Sequence, residues 1–477
     1  MDARRLLPTL LLTACASSST APRATPAPPP DVVAFVGVHL LPMDAPQVLR
    51  DQTVVVRDGR IATVGPAATT PVPADARRIE GRGRYLMPGL SDMHVHLAAD
   101  GERLRDEMLL YLANGVTTVR NMDGRPVHLA WRERERVAAG SAAGPAIRSC
   151  GPQLFGRVSV LGRPAVAPDQ PAWLRRLSRG RSPASARAAV AAQHRAGYDC
   201  VKLYSGPEWS AAAYEAVTRA TDSVGLPLAG HFARNLPLEV NLRGRSSVDH
   251  VEEFNYTHFF RVTKAGAWAA RDSLLPGVAR RVADSGVAVT TTLWYIHLLL
   301  QLGVADSTSV ITAQPDVRFL PASRRRVLTA ERHPYWSTLS DGQQASMRSN
   351  LRFQRRMVHA FQAAGVRVMT GTDASLRSLV VPGFSLHREV AELVEAGLTP
   401  YDALHAATAA PAAFLGTPGG GRVVEGGRAD LLLLEANPLD DVRNLARRAG
   451  VMANGRWWPE AELADSLRAV EARASRR

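Results

Sequence analysis

The sequence predicts an α/β protein: a (β/α)8 TIM-like barrel beside a composite β-sandwich formed by the N- and C-terminal segments. Three observations predict it. Between residues 92 and 370, eight short apolar runs alternate with segments of helical periodicity, as parallel βα units require. β-rich runs bracket that region at both ends of the chain. At 477 residues the chain can hold a barrel of about 250 residues or more and an accessory module.

Residues 1–15 resemble a lipoprotein signal peptide. Arg4 and Arg5 form a basic start, residues 6–12 a short apolar stretch, and Leu12-Thr13-Ala14-Cys15 a cleavage box that would leave Cys15 lipidated. Residues 16–31, rich in Ser, Pro and Ala, read as a flexible linker. The expected location is therefore the bacterial cell envelope, on the periplasmic or outer-membrane face, with the lipid anchor as the sole membrane contact.

The first part of the sandwich is expected over residues 32–87, with β-rich runs at 32–38, 53–56, 61–64 and 77–85. Asp58-Gly59 marks a hairpin between the second and third runs. The barrel is expected over 88–418, with strands at 92–97, 116–119, 146–150, 200–204, 227–231, 247–251, 287–293 and 366–370. Helical periods at 103–112, 183–195, 211–223 and 346–364 separate many of them. Residues 294–345 form a long insertion before the eighth strand, which makes Tyr295, His297, His333 and Trp336 candidate lid residues. A helix at 400–415 and a glycine turn at 419–421 follow. Strand-like runs at 429–435 and 451–457 supply the second part of the sandwich over 419–460, and residues 461–477 a C-terminal helix or tail.

The net charge of +14 invites a nucleic-acid reading, but the arginines are scattered and no aromatic-interleaved basic strip accompanies them. Nucleic acid is thus not expected as a partner. No stretch of the mature chain reaches the roughly 20 apolar residues of a membrane span. Cys150 and Cys200 fall on different predicted strands and are expected as buried free thiols. Without a Cys-x-x-Cys spacing, a thiolate metal site is not expected.

Chemistry concentrates at the predicted strand ends. His94 and His96 lie two apart, so a strand presents both on one face, and at the C-terminal end of a barrel strand that face opens into the mouth. His231, His250 and Asp373 each close a short apolar run. Lys202 is one of only two lysines in the chain, with Lys264; all other basic residues of fixed charge are arginines. An amine can lose its proton and react with CO2, which a guanidinium cannot do. Imidazole and carboxylate donors suit zinc and similar ions. Asp249 is expected to point to the opposite strand face from His250, as a packing or turn group. Asp92 shares the face of His94 one layer deeper, where it could orient an imidazole, and Tyr204 shares the face of Lys202, within reach of substrate. His258, His297, His333 and His387 are read as structural or lid residues.

These residues carry a resemblance. From residue 32 to about 458 the chain resembles the amidohydrolase superfamily, close to its imidazolonepropionase-like and Xaa-Pro-dipeptidase-like branch. The resemblance rests on Met87-Pro88-Gly89-Leu90, Asp92-Met93-His94-Val95-His96 and Val201-Lys202-Leu203-Tyr204-Ser205-Gly206. It continues through Gly230-His231, Asp249-His250, Gly371-Thr372-Asp373, Ala429-Asp430-Leu431 and Asn437-Pro438-Leu439. It implies two divalent ions, zinc foremost, with His94, His96 and Asp373 on one and His231 and His250 on the other. It further implies a carboxylated Lys202 and a hydroxide bridging them, and Asp373 as the catalytic proton carrier. Hydrolysis of an amide bond in a dipeptide or N-acyl amino acid is the expected reaction. A cyclic amide or imidazolone, a lactone, or a phosphotriester are rival substrates, and a ligand-binding lipoprotein without turnover is the non-enzymatic rival. Where related dipeptidases carry a histidine-containing glycine-rich segment after the third strand, this chain reads 151–157 without histidine, so contacts from that segment do not transfer. Arg157 and Arg163 are candidates for an anionic group instead.

Overall fold

Asp58 and Gly59 both take positive φ, 51° and 71°, the backbone of a two-residue hairpin whose twist matches its strands. They join β2 (Leu49–Arg57) to β3 (Arg60–Pro66), and β1 (Val33–Leu40) lies antiparallel on the other side of β2. The structure is a computed structural model that describes residues 32–123, 127–155, 182–204, 209–263, 267–304, 314–327, 340–374 and 379–477. Cys15, Arg157, Arg163, His333 and Trp336 lie outside the described residues. The run expected at 77–85 is two strands, β4 (Arg77–Glu80) and β5 (Tyr85–Pro88), because Gly83 turns the chain with φ 76°. Both pair in parallel with β1, one after the other along its length.

All eight strands expected of the barrel form. They are β6 (Leu90–Val95), β7 (Val116–Asn121), β8 (Ala146–Ser149), β9 (Val201–Leu203), β10 (Leu228–Gly230), β11 (Ser247–Asp249), β12 (Ala288–Thr290) and β13 (Val368–Met369). Parallel ladders join β6 to β7 to β8, β9 to β10, and β11 to β12 to β13. Backbone hydrogen bonds span the gaps: Gly151 N–H to Cys200 carbonyl, Ser246 N–H to Leu228 carbonyl, and Met93 N–H to Thr370 carbonyl, the last returning from β13 to β6. The arrangement is a TIM-barrel-like α/β fold, and it gathers the C-terminal ends of all eight strands at one end of the molecule.

The cysteines are a correction. Cys150 and Cys200 face each other across the β8–β9 gap with Cα atoms 4.3 Å apart, and they form a disulfide. Falling on different strands does not separate two residues when those strands are consecutive in a parallel barrel, because consecutive strands are then neighbours.

Two helices differ from expectation in their bounds. Helix Asp341–Ala363 starts earlier than the 346 expected, because Ser340 and Gln343 form a capping box. The helix expected over 400–415 is two, Pro400–Ala406 and Ala409–Phe414. Pro411 has no N–H to continue the ladder, and the Thr408 hydroxyl donates to the Leu404 carbonyl instead. In the insertion, His297 pairs with Glu392 on helix Phe384–Glu395. Among the described residues, no helix is long and apolar enough to cross a membrane.

After the barrel, β14 (Leu431–Leu434), β15 (Arg448–Ala453) and β16 (Arg456–Pro459) join the N-terminal strands. The two segments were expected as a sandwich; their pairing makes one eight-stranded sheet in the order β16-β15-β14-β5-β1-β2-β3, with β4 on β1. The sheet curls. Four strand spacings separate β16 from β1, about 19 Å if the sheet were flat. Yet the rings of Trp457 and Phe35 lie 5.2 Å apart, and Val33, Val54, Leu431 and Met452 share their buried cluster. Curling lets one sheet enclose its own core.

The disulfide closes a loop with a sequence separation of 50 residues. Chain-entropy arithmetic for such a loop gives about 4 kcal/mol of stabilisation. Replacing both cysteines by alanine is expected to lower the unfolding free energy by up to about that amount, read from urea denaturation. Alkylation of the denatured, unreduced protein should label neither thiol.

Candidate metal centre

The six residues singled out in the sequence meet at the strand ends. His94 is the penultimate residue of β6 and His96 follows the strand, Lys202 is the middle residue of β9, and His231 and His250 follow β10 and β11 directly. Asp373 lies four residues beyond β13. The alternation of a strand places His94 and His96 side by side, with ring centroids 5.3 Å apart. His250 and Asp373 take left-handed backbone, φ 70° and 60°, which is rare for residues with a Cβ and concentrates at functional sites. Gly230 turns with φ 101° just before His231, where an added Cβ would meet the Leu203 carbonyl at 2.3 Å. Strand geometry delivers the chain to the site, and the turns after it aim the side chains inward.

Distances show how tightly the set converges. Asp373 Oδ1 is 2.9 Å from His96 Nε2 and 3.3 Å from His94 Nε2. Lys202 Nζ is 3.2 Å from the same His94 nitrogen. The His250 ring lies 4.4 Å from that of His94 and 4.8 Å from that of His231. Donor atoms of His94, His250 and Asp373 all fall within 4.8 Å of one another, close enough to share an ion. His94 is the hub: it sits between the Asp373 side of the cluster and the His231–His250 side. Tyr204 stands at the rim, 39% exposed, with its ring 4.9 Å from that of His231.

Burial sets the protonation states. It lowers the amine of Lys202, with nearby Asp373 and Asp249 opposing, which favours the neutral form that reacts with CO2. The His231 imidazole is held well below its ordinary range by burial and then by neighbouring His250, and burial takes His250 down to about 3. Burial alone would raise Asp373, but the imidazoles of His94 and His96 beside its oxygen outweigh it and keep the carboxyl well below the usual range. Neutral imidazoles, a neutral amine and an ionised carboxylate are the forms a divalent ion requires. Nδ1 of His231 is buried without a hydrogen-bond partner in the structure, a vacancy of bonding that a cation satisfies. The donor set fits a divalent metal.

Several supporting residues escaped the sequence reading. Asp249 corrects an expectation: it faces inward, fully buried, with Oδ1 2.6 Å from Arg120 and Oδ2 3.8 Å from His94 Nδ1. The positive φ of His250 ends the strand alternation, so both neighbours turn into the barrel. Asp92 holds backbone rather than an imidazole, accepting from the N–H groups of His94 and Thr372 and from the Thr372 hydroxyl. Thr292, after β12, lies 3.0 Å from His250 Nδ1. Arg120 sits in β7, a strand buried along its whole length. His258 and His387 are structural, bonded to Arg281 and to the Asn114 carbonyl.

A TIM-barrel-like fold with a buried imidazole–carboxylate cluster at its strand ends defines a class of metal-dependent proteins. Residues 85–458 match the amidohydrolase family, and the chain belongs to it. Over 105 residues it is 39% identical to an imidazolonepropionase from Micrococcus luteus; that segment is 20% of this chain and 26% of the relative. The chain thus spans about a quarter of that relative's length. Among solved structures it resembles a bottromycin amidohydrolase, with TM-score 0.70 and 24% identity over 93% of this chain and 90% of the other. A Xaa-Pro dipeptidase with bound methionine in its active site superposes with TM-score 0.64 and 18% identity, over 90% of this chain and all of the other. These likenesses establish a shared fold.

Thr292→Val removes the hydroxyl that meets His250 while nearly conserving volume. Zinc affinity is expected to fall by about tenfold, the lower end of what such supporting groups contribute, with the folded state retained. Chelator competition on the purified variant measures it.

Proposed function

We propose that this chain is a metal-dependent hydrolase of amide C–N bonds, acting on dipeptides or N-acyl amino acids. The observation that carries the proposal is the convergence of four histidines, Asp373 and a buried lysine on one set of strand ends. His94, His96 and Asp373 would hold one ion and His231 and His250 a second, with Lys202 as its carbamate between them. Bound ions of this kind supply Lewis acidity toward a carbonyl and lower the pKa of water.

The chain's own residues do the rest. Asp373, ionised and exposed on one side of the cluster, accepts the proton of the attacking water and returns it to the leaving nitrogen as the C–N bond breaks. Tyr204 at the rim borders the space where a substrate carbonyl must approach, and its ring limits what fits beside His231. A dipeptide is favoured by the likeness to a Xaa-Pro dipeptidase over the whole of that structure. The imidazolonepropionase match supports a second reading, a cyclic amide opened by the same groups. A screen of dipeptides, N-acyl amino acids and cyclic amides with zinc-loaded protein separates them.

Lys202→Ala is expected to lose metal and to lower kcat/KM by 100-fold or more, on the order of one missing ligand's orientation and charge. Short carboxylic acids should restore part of the activity by standing in for the carbamate. Full turnover in that variant would remove the carbamate from the mechanism.

The proposal extends to location. Cys15 would carry a lipid in the bacterial cell envelope, and the Cys150–Cys200 disulfide supports an oxidising compartment. Cys15→Ser is expected to shift the protein from the membrane fraction to the soluble fraction of the envelope; unchanged fractionation refutes the anchor.

A further inference from the structure

Arg120 is among the largest side chains buried throughout. Such a charge is costly to bury unless every donor is used. Its Nε donates to the Met93 carbonyl at 2.7 Å, Nη1 to Ser247 Oγ at 3.1 Å, and Nη2 to both Asp249 Oδ1 at 2.6 Å and Thr290 Oγ1 at 3.1 Å. One guanidinium on β7 thereby ties β6, β11 and β12 together. Met93 directly precedes His94, and Asp249 directly precedes His250.

Asp249 has one oxygen fixed and one to spare. Oδ1 is taken by Arg120, whereas Oδ2 is buried and makes no hydrogen bond in the structure. The atom it faces is His94 Nδ1, 3.8 Å away, itself buried with no hydrogen bond. Two orphaned groups of complementary chemistry therefore face each other across 3.8 Å. On the other side of the same ring, Nε2 faces Lys202 and Asp373. An imidazole that donates through Nδ1 presents a bare Nε2 to a cation, and a carboxylate is a common partner for a metal-bound histidine.

Resting on the metallohydrolase reading above, we propose that Arg120 and Asp249 form a positioning pair. Arg120 clamps Asp249 so that its free oxygen accepts the Nδ1 proton of His94, fixing the tautomer and ring orientation that leave Nε2 for metal. Neither residue is catalytic: Arg120 acts through Asp249, and Asp249 through His94. The pair explains why a charged arginine occupies a fully buried strand, because a neutral residue at position 120 would leave the Asp249 carboxylate without its anchor.

The test has two arms. Imidazole nitrogen NMR shifts of His94 in the zinc-free parent are expected to show the Nδ1-protonated tautomer; an Nε2-protonated ring overturns the proposal without any variant. In the second arm, Arg120→Met with Asp249→Leu removes both charges together, so that neither is left buried alone. A folded double variant is expected to bind zinc with a dissociation constant raised by about 10–100-fold, measured by chelator competition. Arg120→Lys, which keeps a cation on Asp249, should lose less affinity. A folded double variant with the parent's zinc affinity overturns the positioning role, and if that variant does not fold the tautomer measurement decides. Absence of zinc uptake by the parent would instead refute the metallohydrolase reading, leaving the His94 tautomer as an independent result.

Discussion

Parallel hydrogen bonding from β6 round to β13 is the constraint on which the site depends. It forces strands far apart in sequence to end at the same face, so residues 94, 202, 231, 250 and 373 become neighbours without any local relation between them. No single segment could assemble this donor set. The helices between strands pack outside and leave the strand ends to be shaped by short turns, and it is in those turns that His250 and Asp373 take left-handed backbone.

Convergence has an electrostatic cost, and the structure answers it in pairs. The Lys202 amine, the imidazoles of His94, His96 and His250 and the carboxylates of Asp92 and Asp249 are buried in one volume, with His231 and Asp373 half-buried beside them, where an isolated charge would be prohibitive. Asp373 is offset by His94 and His96, and Asp249 by Arg120. Asp92 Oδ1 accepts from the backbone N–H groups of His94 and Thr372, and Oδ2 from the Thr372 hydroxyl. Imidazole Nδ1 of His231 is left over, buried without a hydrogen-bond partner in the structure. The burial that lowers the imidazoles of His96, His231 and His250 favours the neutral form that binds a metal ion.

The composite sheet does a different task. β14 pairs with β5, whose last residue lies two positions before β6, so the start of the barrel and the end of the chain are held on one ladder. The C-terminal helix Glu460–Arg476 returns to the barrel as well, where Arg473 and Arg477 meet Asp106 on helix Gly101–Ala113. Both contacts brace the segment that carries His94 and His96.

What the sequence by itself determined is periodic or local. Alternating apolar runs announced eight strands, Asp58-Gly59 announced a hairpin, and histidines closing apolar runs announced a cluster at the strand ends, because period and capping chemistry are written within a few neighbouring residues. The strand-to-strand consequences were decided only by the tertiary structure. That Cys150 meets Cys200, that the end strands join in one curled sheet, that Asp249 turns inward beside His250, and that Arg120 reaches four partners all follow from strand register and a single positive φ. Register is fixed by hydrogen bonds between distant segments, and no pattern within one segment records it.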